Sequence, residues 1–414
     1  MSVSNVLTRC AGMVFILITG MPGAFAAPEL TLAETERLAL EQAPWLQHHR
    51  TNADAASERV VYEGQLPDPQ LTLGVANLPT DSYRLDREDM TMTVVGVRQA
   101  FPPGKTLALR SERAGKELAR EQARVQMEQR NLIRQVRQAW LELYYQEQSL
   151  RTLDESRRLA HKQLDAAEGR YRAAQETQQS VLRSRQALAR LDERAPMIRA
   201  QTLRLQAQLA RWIGEAAYQP LPAELPVLPE APGAFDYTHH PEWIATQTML
   251  DEARVEVEMV RQEYKPAMML DVSYGYRRPM PDGTERSDLL SAMVTLDLPV
   301  FRDKRQDRKL AEKQTMEAGA RFELDDKKRE LESMDLSLRA ELEGLTEREK
   351  IFAERLIPAT RREAQVTVAG FARDQSDYRD AIMRSLDTEL EYLRLRVDRA
   401  KAQAELLYLT GEQS

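Results

Sequence analysis

The sequence predicts a mostly α-helical protein with a small β part, in which one long antiparallel helical hairpin, preceded by a pair of strands, occurs twice. Three observations predict it. Landmarks recur at an offset of 197 residues: Pro44 with Pro241, Pro69 with Pro266, Phe101-Pro102 with Leu298-Pro299, and Trp212-Ile213-Gly214-Glu215 with Leu409-Thr410-Gly411-Glu412. A period that long marks an internal duplication of substantial units rather than a solenoid. Two tracts, about 105–173 and 303–373, have helical composition, with Pro358 the one interior proline. Segments alternating with period two stand before each tract.

Residues 1–26 read as a signal peptide. Arg9 precedes the apolar run Val14-Phe15-Ile16-Leu17-Ile18, a Pro22-Gly23 break and Ala24-Phe25-Ala26. The run is about half the ~20 residues a spanning helix needs. Cys10, the single cysteine, lies before that run, so cleavage after Ala26 leaves neither disulfides nor thiolate metal sites. With 58 Lys+Arg against 65 Asp+Glu, a net charge of −7 and no long block of one sign, the chain is no candidate for binding nucleic acid.

The first repeat is read as 27–217. Residues 30–64 form a helix, and Pro67 and Pro69 end it. The strand pair follows at 69–78 and 90–100, where Leu71, Leu73 and Val75 alternate with Thr72, Gly74 and Ala76. A helical hairpin then fills 105–213, its stripe Ile133, Val136, Trp140 and Leu143 stepping by three and four. Residues 218–235, with prolines at 220, 222, 226, 229 and 232, form an extended, exposed linker. The second repeat, 236–414, has its strand pair at 267–277 and 289–298 and its hairpin at 303–410. One face of the four strands is apolar; Thr72, Arg98, Asp271, Ser273, Thr295 and Asp297 occupy the other.

Four strands are too few to close a barrel, and an open sheet of four leaves two unpaired edges. If the apolar face meets lipid, identical chains must contribute strands to one shared barrel, because hydrocarbon tolerates no open edge. The polar face would then line water.

Leu30-Thr31-Leu32-Ala33-Glu34, Ala43-Pro44 and Gly64-Gln65-Leu66-Pro67-Asp68-Pro69-Gln70-Leu71 resemble the opening of the TolC family of outer-membrane efflux proteins. The Leu66-Pro67-Asp68-Pro69 element with Asn77-Leu78 looks most like the CzcC/CusC cation-efflux branch. The resemblance covers nearly the whole chain after the leader. It implies a homotrimer with a 12-stranded transmembrane β-barrel in the outer-membrane lipid and a trimeric α-barrel projecting into the periplasm. There it would meet a periplasmic adaptor and an inner-membrane pump of the RND type. Such a duct is passive and needs no cofactor.

The resemblance also implies sites. Family members carry Tyr-x-x-Gly turns at the hairpin tips, where the adaptor docks; this chain has Tyr171-Arg172-Ala173-Ala174 and Phe371-Ala372-Arg373-Asp374, both without the glycine. Asp380 matches an aspartate that rings the closed periplasmic gate. The second ring position is Met383, and Asp374 and Asp377 add charge nearby. No metal site is expected: His48-His49 and His239-His240 are adjacent pairs without ligand spacing, and Met90, Met92, Met268 and Met269 read as apolar filling. Rival readings are a periplasmic adaptor, a coiled-coil scaffold, or the duct of a type I secretion system. An enzyme is disfavoured, since no nucleophile motif or phosphate loop is present.

Overall fold

Helix formation begins at Thr31, whose Oγ1 accepts the Glu34 N–H (3.2 Å) and caps α1 (Leu32–Gln42). In the computed structural model, residues 29–369 and 375–411 are described, the side chains of 367–369, 375–379 and 382 excepted. The expected leader and the Phe371–Asp374 turn lie outside them.

The expected single helix over 30–64 is two: Pro44, with no N–H to continue α1, takes the first position of α2 (Pro44–Glu63). Then come β1 (Gln70–Ala76), β2 (Met92–Phe101), α3 (Thr106–Arg172) and α4 (Gln178–Ile213). The second half repeats the order with α5 (Pro241–Gln262), β3 (Ala267–Tyr276), β4 (Leu289–Asp297), α6 (Gln306–Ile351), α7 (Ile357–Ala369) and α8 (Gln375–Thr410). The 67 residues of α3 rise over ~100 Å.

The expected helix over 303–373 begins at Gln306 and is interrupted by one π-helical turn, Phe352–Leu356. Pro358 supplies the cause. Its missing N–H leaves the Glu354 carbonyl without an α-helical partner, and the backbone shifts register just before it.

The sheet is antiparallel throughout, in the order β1-β2-β3-β4. Pairing of β2 with β3 joins the two repeats; β1 and β4 are the outer strands. In the helical part, α3 packs against α2 and α4 on one side and against α5 and α8 on the other, and α5 and α8 also pack against α6. The main core forms where α1, α3, α4 and α8 meet, around Trp140, Leu141, Leu143, Leu209 and Val397. Three members of the expected α3 stripe, Val136, Trp140 and Leu143, are fully buried there.

The linker is extended, as five prolines require, but not exposed along its length. It is strapped to the helices. Leu221 is buried in the main core, and Leu225 and Leu228 pack against it. The Leu30 N–H donates to the Pro220 carbonyl (2.9 Å), Gln403 Nε2 to Pro229 (2.6 Å) and Arg339 Nη2 to Pro232 (2.8 Å). Prolines free carbonyls from helical pairing, and neighbouring side chains take them up.

Candidate functional site

Register decides what the sheet can do. Leu71, Val97, Val272 and Ala292 stand opposite one another across the four strands, as do Leu73, Val95, Tyr274 and Leu290. These rows share one face, and that face is bare: Leu73 is 67% exposed and Leu290 76%. An apolar patch this continuous marks a surface that meets lipid or protein. Tyr274 and Tyr276 mark its loop end, and Phe101 with the exposed Phe301 its helix end. Strands of seven to ten residues approach the length a tilted membrane strand needs.

The other face carries the charged and most of the hydroxyl side chains, all six residues expected there among them, interspersed with Met92, Val94, Met269 and Met293. Thr72 stands opposite Gly96, Gly96 opposite Ser273, and Ser273 opposite Ser291. Arg98 stands opposite Asp271, and its Nε donates to Asp271 Oδ2 at 2.9 Å. Thr295 and Asp297 continue the face on β4, opposite Met269 and Ala267. The register adds Gln70, Ser291 and Met293, which alternation within one strand did not single out. A Cβ at Gly96 would come within 2.9 Å of the Ser273 Cβ, so this face has room for only glycine there.

The loops at the far end are tied together. Thr91 Oγ1 donates to the Asn77 carbonyl (2.8 Å), and Arg277 Nη1 reaches across from the β3–β4 loop to the Asp89 carbonyl (3.1 Å).

The opposite pole of the helices carries the expected docking and gate residues. At the end of α3 the chain turns into α4 through two bonds: the Gln175 N–H donates to the Arg170 carbonyl (2.8 Å) and the Ala174 N–H to Tyr171 (3.0 Å). This is a Schellman turn with Ala174 in its left-handed position, at φ +56°. Tyr171 is exposed beside it. Asp380 is an exposed, partnered residue of α8, while Met383 packs half-buried against the cluster of Leu153, Leu188, Leu191 and Leu386. The Asp377 side chain, Phe371 and Asp374 lie outside the described residues.

Midway along the helices, charged ties invisible to periodicity join the repeats. The Glu142 carboxylate on α3 takes Arg394 Nη1 (2.8 Å) and Lys401 Nζ from α8. Burial pushes that carboxyl up, but the two cations outweigh burial and hold it below the ordinary range. At the head of α5, His240 is buried and its Nδ1 accepts the Glu242 N–H (3.3 Å). Desolvation lowers its pKa to about 4. Tyr408, half-buried beside it and donating to Glu242 Oε1 (3.2 Å), is pushed up to about 12, chiefly by desolvation. Among the described residues no cluster of His, Cys, Asp or Glu could hold a metal, and no helix is long and apolar enough to cross a membrane.

No family model matches the chain, and no curated protein matches it in sequence. Solved structures do match in shape. CusC, crystallised in a study of its folding and transmembrane channel formation, aligns with a TM-score of 0.78 and 13% identity over 94% of this chain and 93% of its own. The outer membrane protein VceC of Vibrio cholerae aligns at 0.76 and 16% identity over 92% and 96%. The open MtrE outer membrane channel of Neisseria gonorrhoeae aligns at 0.77 and 16% identity over 92% and 88%. The chain has the fold of these channel proteins over nearly its whole length.

Proposed function

We propose that the chain is one subunit of a TolC-family outer-membrane channel, a homotrimer that serves as the passive exit duct of a tripartite, RND-type efflux system. The observation that carries this reading is the open four-stranded sheet with a bare apolar face and a polar opposite face. Lipid on one side and water on the other is the environment that satisfies both, and three copies supply the strands that close the edges. The α3 span of ~100 Å then carries the bore into the periplasm. A periplasmic adaptor or coiled-coil scaffold has no use for such a belt.

On this reading Thr72, Arg98, Asp271, Ser273, Thr295 and Asp297 line the barrel, and the turn at Tyr171 to Ala174, with Phe371 to Asp374, meets the adaptor. Asp380 forms the acidic ring at the gate and Asp374 and Asp377 add charge nearby, while Met383, at the second ring position, packs among the helices. The cargo is a cation or small toxic solute; resemblance of Leu66-Pro67-Asp68-Pro69 to the cation-efflux branch supports the former. The test is reconstitution in planar bilayers. Wild-type protein should open discrete channels with low conductance, and Asp380→Ala should raise conductance or weaken block by multivalent cations. Absence of channels sinks the duct, whereas identical channels in the variant remove Asp380 alone from the gate.

A further inference from the structure

A cleft of about 240 Å³ opens between α3 and the end of α8, and one of its walls is a stripe of arginines. Arg130, Arg134 and Arg137 follow one another at four and three residues, so they project from one face of α3. Leu407, Tyr408 and Gly411 form the opposite wall.

The three guanidinium groups have different fates. Arg137 is buried and forks onto Glu36, its Nε and Nη2 donating at 2.7 and 3.1 Å. Arg134 reaches Glu405 at 3.4 Å and lies over the Tyr408 ring, 4.6 Å from its centroid. Arg130 is half-buried and has no hydrogen-bond or ion-pair partner among the described residues. It sits against the Gly411 backbone, where a Cβ would come within 3.3 Å of its Nη2. Desolvation lowers its pKa from the usual arginine value. A cation drawn out of water without a counter-charge is costly, and proteins keep one where an anion is to be bound.

Helix packing does not demand the stripe. The 197-residue offset carries Arg130, Arg134 and Arg137 to Lys327, Leu331 and Met334. There Lys327 is paired with Glu242 (3.1 Å) and Glu330 (2.5 Å), and Leu331 is core. The same structural position in the second repeat is filled by a neutralised lysine and two apolar side chains. Among the described residues, the arginine without a partner has no counterpart at this position of the second repeat.

We propose that this cleft binds a small oxyanion, a phosphate or a short carboxylate, with Arg130 as its primary ligand, Arg134 beside it and Tyr408 on the facing wall. Glu36 and Glu405 hold the other two guanidinium groups in place and leave Arg130 to the ligand. The volume suits a compact anion rather than a drug-sized molecule. Because α3 and α8 belong to different repeats, bound anion would clamp the two together.

The test is calorimetric titration of the purified full chain in detergent with sodium phosphate, and separately with sodium acetate, against chloride at matched ionic strength. Saturable binding of one anion per chain is expected from at least one arm, and the arm that saturates identifies the ligand class. Arg130→Gln should weaken it about tenfold or more. Arg130→Lys, which keeps the charge and loses the planar fork, should fall between. The proposal is overturned by wild-type protein that saturates with neither anion, or by equal affinity in Arg130→Gln. Binding that emerges only in Glu412→Gln would overturn it too, since the chain's own carboxylate would then be the occupant.

Discussion

Ala174 stands where a Schellman turn favours glycine, and it holds φ at +56° without help from a polar side chain. For an L-residue with a Cβ the left-handed region costs ~1 kcal/mol, which glycine escapes. Ala174→Gly should therefore stabilise the α3–α4 turn by about that amount; slower amide exchange in residues 170–176 would register it, and faster exchange would contradict it. His240 offers a second prediction at this scale. Its Nδ1 accepts the helix-capping N–H of Glu242, and protonation would turn that acceptor into a donor. The folded pKa of about 4 lies below the ordinary 6.5, because burial, with Arg130 and Lys327 nearby, outweighs the pull of Glu242. Stability should thus be full above pH 6.5 and fall by up to about 3 kcal/mol as pH drops toward 4. His240→Asn keeps a capping acceptor without titrating, so unfolding curves at pH 7 and 4.5 should differ less in the variant than in wild type. The substitution at Ala174 was legible in the sequence as a missing glycine; that the turn keeps its left-handed shape regardless was not, since two backbone bonds impose it.

At the scale of elements, the sheet has two faces with opposite tolerances. Leu73 lies on the bare apolar face and Ser291 on the polar one. An arginine in place of Leu73 should cost ~2–4 kcal/mol in hydrocarbon, whereas one in place of Ser291 should be accepted by water. Recovery of each variant in urea-washed outer membranes measures this, and equal recovery would argue against a lipid-facing belt. Both faces were legible in the sequence because strand side chains alternate strictly, so Thr72, Asp271 and Thr295 could be separated from Leu73, Leu270 and Val294 by counting. Strand order was not legible. Nothing local to Phe101 or Met268 says that they meet, yet that meeting makes one sheet of two hairpins. The π-helical turn before Pro358 was half legible: proline marks the disturbance, but helix packing selects how the backbone absorbs it.

At the scale of the whole molecule, exposed apolar side chains remain on both flanks of the helical layer. Met316, Phe322 and Leu336 lie along α6, and Val61, Leu182 and Leu203 on α2 and α4. Together with the outer strands β1 and β4, they are surfaces a second and third copy would cover. The only cysteine in the sequence is Cys10, so engineered cysteines report on the assembly cleanly. In variants pairing one cysteine on β1 with one on β4, stepped along both strands because a closed barrel staggers its neighbours, two intervening strands hold the thiols ~14 Å or more apart within one chain, while adjacent chains would bring one such pair within ~5 Å. A short bismaleimide applied to membranes should yield bands of two and three chain masses and none larger; monomer alone would refute the shared barrel. What the sequence determined by itself was whatever repeats over short range: the 197-residue duplication, helix against strand, and the two faces of each strand, because these follow from local periodicity and proline chemistry. Tertiary structure alone decided the union of the hairpins through β2 and β3, the strapping of the linker and the lack of a partner for Arg130 among the described residues. Those depend on which distant groups meet, and no spacing along the chain encodes that.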